Sequence, residues 1–261
     1  MFPEERRQKI CDLVNRNGSM KVSDLARMLN TSEVTIRRDL DDLCLEKWLQ
    51  RTHGGAISNH SVRDEIVAPE LIRMHKNYEE KMLVARAAYS LLNEKDTLFM
   101  DGSSTVHELV KLIAEGEKKH LYIITSSLST VSALSECESI TVIMLAGEVN
   151  YRHNHVEGHL TMEGIRSMRA DKCFIGINGI DASFGFSTPR FVDADMKDLM
   201  ITSSLQSFIL ADHSKFGSVY MAKVTDQCNT LITDTRIDDY DYKWLDGRCN
   251  VLFADEMVKK E

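Results

Sequence analysis

The sequence predicts an α/β chain in two parts: a small helical module at the amino terminus, then a larger domain built on a mostly parallel sheet. Three observations predict it. Ile36, Leu40 and Leu43 stand at i, i+4 and i+7, the buried stripe of a helix that follows a shorter helix after a turn-length joint. From Asn77 onward, strand-length apolar runs alternate with helical patterns, which requires crossover connections and helices on both faces of a sheet. The charge divides at the same place. Residues 1–57 carry 10 Lys+Arg and 9 Asp+Glu, a net of +1, whereas the 261-residue chain as a whole carries -8.

With 43% hydrophobic and 28% charged residues, the composition is that of a soluble globular protein and excludes a disordered class. The longest apolar runs, residues 121–124 and 140–145, are strand-length, and the opening Met1-Phe2-Pro3-Glu4-Glu5-Arg6-Arg7 lacks an apolar signal core. The expectation is a cytoplasmic protein with no membrane partner. Six cysteines without a C-x-x-C pair argue against a zinc site and fit reduced thiols, and the 13 methionines read as core filler.

Pro3-Glu4-Glu5 opens the first helix, since proline is tolerated in the first turn and carboxylates are favoured at the positive end of the dipole. Ile10, Leu13 and Val14 form its buried face, and Gly18 stops it. Residues 20–22 read as a short strand, with Ser23 capping a second helix to Leu29 and Asn30-Thr31 as the joint. Ser32 then has the side chain of an N-cap for the third helix. That helix turns Thr35, Arg37 and Arg38 outward, a hydroxyl and two guanidinium forks that suit phosphate oxygens and the N7/O6 edge of guanine. Glu33 with Arg37, and Arg38 with Asp41 or Asp42, also stand at ion-pair spacing, so the residues alone leave two readings open. Two extended segments around Gly54-Gly55 make a hairpin that completes a winged helix-turn-helix. The expected partner is double-stranded operator DNA, contacted by Ser32, Thr35, Arg37, Arg38 and, from the wing, Arg51 and His53.

Arg6-Arg7-x-x-Ile10, Val22-x-x-Leu25-Ala26, Ser32-x-x-Thr35-Ile36-Arg37-Arg38-Asp39-Leu40 and His53-Gly54-Gly55-Ala56 together resemble the amino-terminal module of the DeoR family of bacterial transcriptional repressors. The chain departs from that pattern at Lys47, where the family usually has glycine.

Residues 58–76 show no periodicity, contain Pro69 and read as a linker between domains at 1–57 and 77–261. Val84, Ala87, Ala88, Leu91 and Leu92 then give a helical stripe. Strands are expected over 97–101, 121–125, 140–145, 172–177, 208–212, 230–233 and 251–253, and helices over 106–113, 128–134, 160–168 and 192–205. In such sheets ligands sit beyond the carboxyl ends of strands. Those positions are polar: Asp101-Gly102-Ser103-Ser104-Thr105, Ser126-Ser127, Gly147, Asn178-Gly179-Ile180-Asp181 and Asp212-His213-Ser214-Lys215. The first offers hydroxyls and N–H groups at a helix start, which is how an anion such as phosphate is held, although a capped helix after a tight turn reads the same way.

Residues 77–261 resemble the carboxyl-terminal sensor domain of the same family, through Asp101-Gly102-Ser103-Ser104-Thr105, Asp171-Lys172-x-Phe174-Ile175-Gly176, Gly179-Ile180-Asp181, Lys197 and the run from Ala211 to Gly217. The resemblance implies a fold related to ribose-5-phosphate isomerase and an effector that is a phosphorylated sugar or related metabolite, with no cofactor. On that basis the backbone and hydroxyls of Gly102, Ser103, Ser104 and Thr105 take the phosphate, Lys215 or Lys197 supplies positive charge, and Asp101 and Asp181 accept from sugar hydroxyls. Ser126, Ser127, Gly147 and Asp212 complete the expected set. Lys197 is equally placed to pair with Asp193 at i,i+4. Small residues replace the family's usual ones at Ser103-Ser104, Ser126 and Ala146, which bears on which ligand is bound.

His153, His155 and His159 beside Glu148 and Glu157 match no strong zinc spacing, so the segment reads as a polar loop entering a helix, with no metal expected. A metabolite-responsive repressor is the leading function; an isomerase-like enzyme carrying a DNA-binding head is the rival, since Asp181 and Lys197 are capable of acid–base work. A single winged helix buries little surface, so a homo-oligomer presenting two heads is expected.

Overall fold

In the computed structural model, residues 3–17, 19–46, 48–52, 54–58, 74 and 76–258 are described. Gly18, Lys47, His53 and all of the expected linker except residues 58, 74 and 76 lie outside them. The chain divides into two compact units, residues 1–68 and 69–261.

The first unit runs α1 (Pro3–Asn17), β1 (Ser19–Lys21), α2 (Val22–Met28), α3 (Glu33–Leu45), β2 (Leu49–Thr52) and β3 (Gly55–Ser58). Its core is the set that helical periodicity selects: Ile10, Val14, Leu25, Ile36 and Leu40 are fully buried, with Leu43 and Leu49 against them. Ser32 caps α3 as expected, its hydroxyl accepting from Thr35 N at 3.2 Å. Ser23 does not cap α2; Lys21 holds the cap position in an extended conformation, and the helix begins one residue earlier, at Val22. The strand ahead of it is Ser19–Lys21 and joins the wing in the order β1-β3-β2, so pairing with β3 decides where extended backbone gives way to helix. A Cβ on Gly55 would stand 2.0 Å from Met20 O, so the close approach of β3 to β1 admits only glycine.

The second unit begins with α4 (Tyr78–Ser90) and then runs β4 (Thr97–Met100), α5 (Ser104–Glu115), β5 (Tyr122–Thr125), α6 (Leu128–Ala133), β6 (Thr141–Met144), β7 (Glu148–Asn150), β8 (His155–Glu157), α7 (His159–Ser167) and β9 (Ala170–Gly176). It continues with β10 (Gly179–Asp181), β11 (Gly185–Thr188), α8 (Phe191–Thr202), β12 (Ser204–Leu210), a 3-10 turn (His213–Lys215), β13 (Ala222–Thr225), β14 (Thr230–Thr233), α9 (Asp239–Leu245), β15 (Asn250–Phe253) and α10 (Ala254–Val258). Seven strands form one sheet in the order β15-β14-β12-β9-β4-β5-β6, with every pairing parallel. These are the seven expected strands.

Side chains alternate across this sheet, as the pleat requires. Leu98, Met100, Phe174 and Phe208 pack with Val84, Ala88, Leu109 and Ile113 of α4 and α5 on one face. Phe99, Cys173, Ile175 and Ile209 pack with Ile165, Ala194, Met196 and Met200 of α7 and α8 on the other. Double coverage explains why the central residues of the strands are apolar on both faces.

Two further expectations are corrected, and one sheet was not expected. The helix expected over 192–205 ends at Thr202, and β12 starts at Ser204, because register with β9 holds residues from Ser204 onward in the sheet. Residues around His155 form an antiparallel hairpin, β7 with β8, instead of a loop running into a helix. A second small antiparallel sheet, β10-β11-β13, lies outside the predicted pattern. Among the described residues, no helix is long and apolar enough to cross a membrane.

Candidate functional site

The outer face of α3 carries Val34, Arg37, Arg38 and Asp41, all exposed. The two arginines differ in their ion pairing. Arg37 reaches back to Glu33 at 3.2 Å, one turn away and half-exposed, a contact that contributes little in water. The acidic neighbours of Arg38 are occupied elsewhere: Asp42 pairs with Arg7 at 2.5 Å and Asp41 with Arg51 at 2.8 Å. Arg38 makes no ion pair among the described residues and points into solvent. Arg51 also donates to Gly55 O at 2.7 Å, so it braces the wing against α3. Ser32 and Thr35 share a hydroxyl contact at 2.9 Å. His53 lies outside the described residues.

Asp39 does a different job. It is buried beneath α3 and accepts from Arg6 at 2.5 and 3.1 Å. That hydrogen bond is the main reason the Arg6 guanidinium holds its proton more tightly than usual.

In the second unit the carboxyl ends of β4, β5 and β9 meet around Asp101. Its Oδ1 accepts from Ser103 N at 2.9 Å, its Oδ2 accepts from Gly176 N at 3.1 Å, and Lys197 of α8 pairs with Oδ2 from the opposite face of the sheet. Lys197 therefore bonds Asp101, not Asp193. Ser103 caps α5, accepting from Val106 N at 3.4 Å. Ser104 and Thr105 follow as the first residues of that helix, with amides that no group among the described residues accepts. Gly102 lies against the side chain of Ser127, which itself caps α6. A Cβ on Gly176 would stand 2.2 Å from Ser103 Oγ, so β9 comes this close to the loop only as glycine. Gly176→Ala is expected to displace the loop and destabilise this domain by about 1–3 kcal/mol, read as a lowered midpoint in denaturant.

The hairpin forms a second wall. Val156 N donates to Ser126 O at 2.8 Å and Leu128 N to Asn154 O at 3.0 Å, fastening it to the end of β5. Gly147 enters the hairpin beside Thr161, whose hydroxyl donates to Ala146 O at 2.7 Å. Glu157 accepts from Asn150 at 2.9 Å, takes Arg190 Nη2 on both of its oxygens at 2.8 and 2.7 Å, and meets His155 Nε2 at 2.8 Å. Burial pushes its carboxyl upward, but the Asn150, His155 and Arg190 hydrogen bonds outweigh that and hold it down at about 2. Arg190 also reaches Asp193 at 3.2 Å. Ligand atoms of His155, Glu157 and Asp193 lie within 4.8 Å of one another. Arg190 pairs with both carboxylates of that group, one positive charge against two negative ones.

Asp212 and Lys215 follow the end of β12, the strand beside β9. Asp212 is fully buried and accepts from Ser214 N at 3.0 Å and Asn77 Nδ2 at 3.1 Å. Burial raises its carboxyl, but the charges of Lys215 and Lys81 and the Ser214 bonds leave it below the usual range. These contacts fasten the start of α4. Asp181 accepts from Ser183 N at 2.8 Å and Ser183 Oγ at 2.5 Å, a turn closed on itself. The structure thus gathers Asp101, Gly102, Ser103, Ser104, Thr105, Ser126, Ser127 and Lys197, with Gly147 at the hairpin behind them. Asn150, His155, Glu157, Gly176, Arg190 and Asp193 join them without having been singled out as ligand-binding residues in the sequence. One signal was readable: Arg190, Asp193 and Lys197 recur at i, i+3 and i+7, one face of a helix.

Comparison with known proteins agrees with this architecture. A model of the DeoR-like helix-turn-helix domain matches residues 6–62, and one of the DeoR C terminal sensor domain matches residues 76–235. The chain is 33% identical to the HTH-type transcriptional regulator YulB of Bacillus subtilis, over 95% of each chain. It is 32% identical to the regulator GolR of Listeria innocua, over 93% of this chain and 95% of that one. It is 31% identical to the lactose phosphotransferase system repressor of Streptococcus mutans, over 92% and 95%. Among solved structures, a ribose-5-phosphate isomerase in complex with phospho-erythronic acid aligns at 16% identity over 53% of this chain and 54% of that one, with a TM-score of 0.40. On both domain matches and on near full-length relatives, the chain belongs to the DeoR family of helix-turn-helix transcriptional regulators.

Proposed function

We propose that this protein represses a carbohydrate-utilisation operon and is controlled by a phosphorylated sugar or related metabolite bound at the carboxyl edge of its seven-stranded sheet. Residues 1–57 read the operator, 58–76 connect, and 77–261 bind effector and assemble a homo-oligomer. The observation that carries the effector site is the start of α5. The amides of Ser104 and Thr105, unpartnered among the described residues, form the positive end of a helix beside Lys197, in a domain otherwise rich in acid. A phosphate dianion at that helix start competes with Asp101 for Lys197, which gives the site two arrangements for the ligand to choose between. The repressor named for the lactose phosphotransferase system supports a sugar-linked role.

On this reading the domain binds without turnover. The Asp101 carboxylate has its hydrogen-bonding positions taken by Ser103 N, Gly176 N and Lys197, so it is poorly placed to abstract a proton. A thermal-shift panel of pentose and hexose phosphates tests the site, because a ligand at 100 times its Kd stabilises by about 2.7 kcal/mol. A flat panel refutes the site, and turnover of any member refutes the sensor as the whole function. Light scattering that finds only monomer refutes the assembly.

For the reading helix, Arg38→Ala is expected to cost about 1–3 kcal/mol of operator binding with the fold unchanged, and Arg37→Ala less. Equal affinities for wild type and Arg38→Ala by fluorescence anisotropy return Arg38 to the solvated surface.

A further inference from the structure

Within the DNA-reading face, one residue has no polar chemistry to offer. Val34 is 77% exposed in the first turn of α3, between the capping Ser32 and Thr35, while Ile36, Leu40 and Leu43 fill the buried face behind it. A single exposed apolar side chain is ordinary on a protein surface. Its place is what matters. In helix-turn-helix proteins the first residues of the recognition helix meet the base edges, and Val34 stands there with Arg38 one turn further on. Residues at i and i+4 share a helix face. Ser32 and Thr35 are turned toward each other and Arg37 toward Glu33, which leaves Val34 and Arg38 as the two side chains of this face held by no such contact among the described residues.

An isopropyl group can neither donate to nor accept from a base edge. The one apolar feature of the major groove is the C5-methyl of thymine. We propose that Val34 is a specificity-determining residue of the operator complex, packing on a thymine methyl next to the guanine that Arg38 reads. The spacing sets a further condition. Four residues of helix advance about 6 Å, and base pairs stack about 3.4 Å apart, so the thymine and guanine fall one or two steps apart. A cytosine at the thymine position offers no methyl and turns an amino donor toward an apolar surface, so it is rejected.

The inference rests on α3 being the element that enters the groove, and its test separates the two. Duplexes selected from a random pool by the full-length protein supply the probe. Wild type, Val34→Ala and Arg38→Ala are then titrated against the selected duplex and against copies in which each thymine in turn is replaced by deoxyuridine. One buried methyl is worth about 0.8 kcal/mol, close to four-fold in affinity. A single thymine, within two steps of a guanine, is expected to lose about four-fold on replacement with wild type and nothing with Val34→Ala, whose own deficit vanishes on the deoxyuridine duplex. Val34 is too exposed for its truncation to open the core, and unchanged circular dichroism of the variant checks this. If Arg38→Ala loses affinity but no thymine couples to Val34, the helix reads DNA and this inference is wrong. If neither variant loses affinity, α3 is not the reading element and the inference falls with it.

Discussion

Asp39→Ala is expected to remove most of the stability of the amino-terminal domain while leaving the sensor domain as it was. The carboxylate is buried, takes two hydrogen bonds from Arg6 and has Arg7 Nε at 3.7 Å. Removing it leaves the Arg6 guanidinium, 14% exposed, without a counter-charge under α3. Breaking a buried pair by deleting one partner costs about 3–5 kcal/mol. Domains of this size are marginal, with total stabilities that start near 5 kcal/mol. Differential scanning calorimetry of the full chain should show the transition of the small domain moving down steeply or vanishing, the other unmoved, and operator binding lost with the first. Asp39→Asn keeps hydrogen-bond acceptance without the charge and should fall between. If the small-domain transition does not move in Asp39→Ala, Arg6 has found water or another acceptor, and the ion pair is not what holds α1 to α3.

Ser104→Glu is expected to abolish the response to effector without unfolding anything. Ser104 is the first residue of α5, partly buried, with its amide at the positive end of the helix dipole. A carboxylate is favoured at that position, so helix stability is kept or gains a few tenths of a kcal/mol. The same carboxylate occupies the field that a phosphate would use and repels a dianion. Operator affinity without effector should stay at the wild-type value, because the reading domain is untouched. The shift caused by effector, typically about 1–3 kcal/mol of coupling, should be absent. A variant that still responds with undiminished affinity places the phosphate elsewhere and removes α5 from the site.

The two variants probe opposite kinds of information. Ser104 was legible because its chemistry lies in consecutive residues: a strand end, a glycine, hydroxyls and a helix start. Ser32 as the cap of α3 was legible for the same reason, as were the seven strands of the sheet, whose central residues are apolar on both faces because both are covered. The strands of the hairpin and of β10-β11-β13 are three or four residues long with mixed polarity, too short for a period of two to stand out.

By itself, then, the sequence determined the two-part α/β architecture, the helix-turn-helix, and the polar loop at the start of α5. The tertiary structure decided which charges meet. Arg6 finds Asp39 across 33 residues, Arg190 finds Glu157 across 33, and Asp101 finds Gly176 and Lys197 across 75 and 96. Each of these residues also has nearer opposite charges or polar groups in the chain, and periodicity says nothing about which is chosen. The order of the strands chooses. With β4 beside β9 and α8 packed across their far face, Lys197 is brought to Asp101 instead of to Asp193 one turn away: burying Asp101 without a cation would be costly, whereas Asp193 is already paired with Arg190.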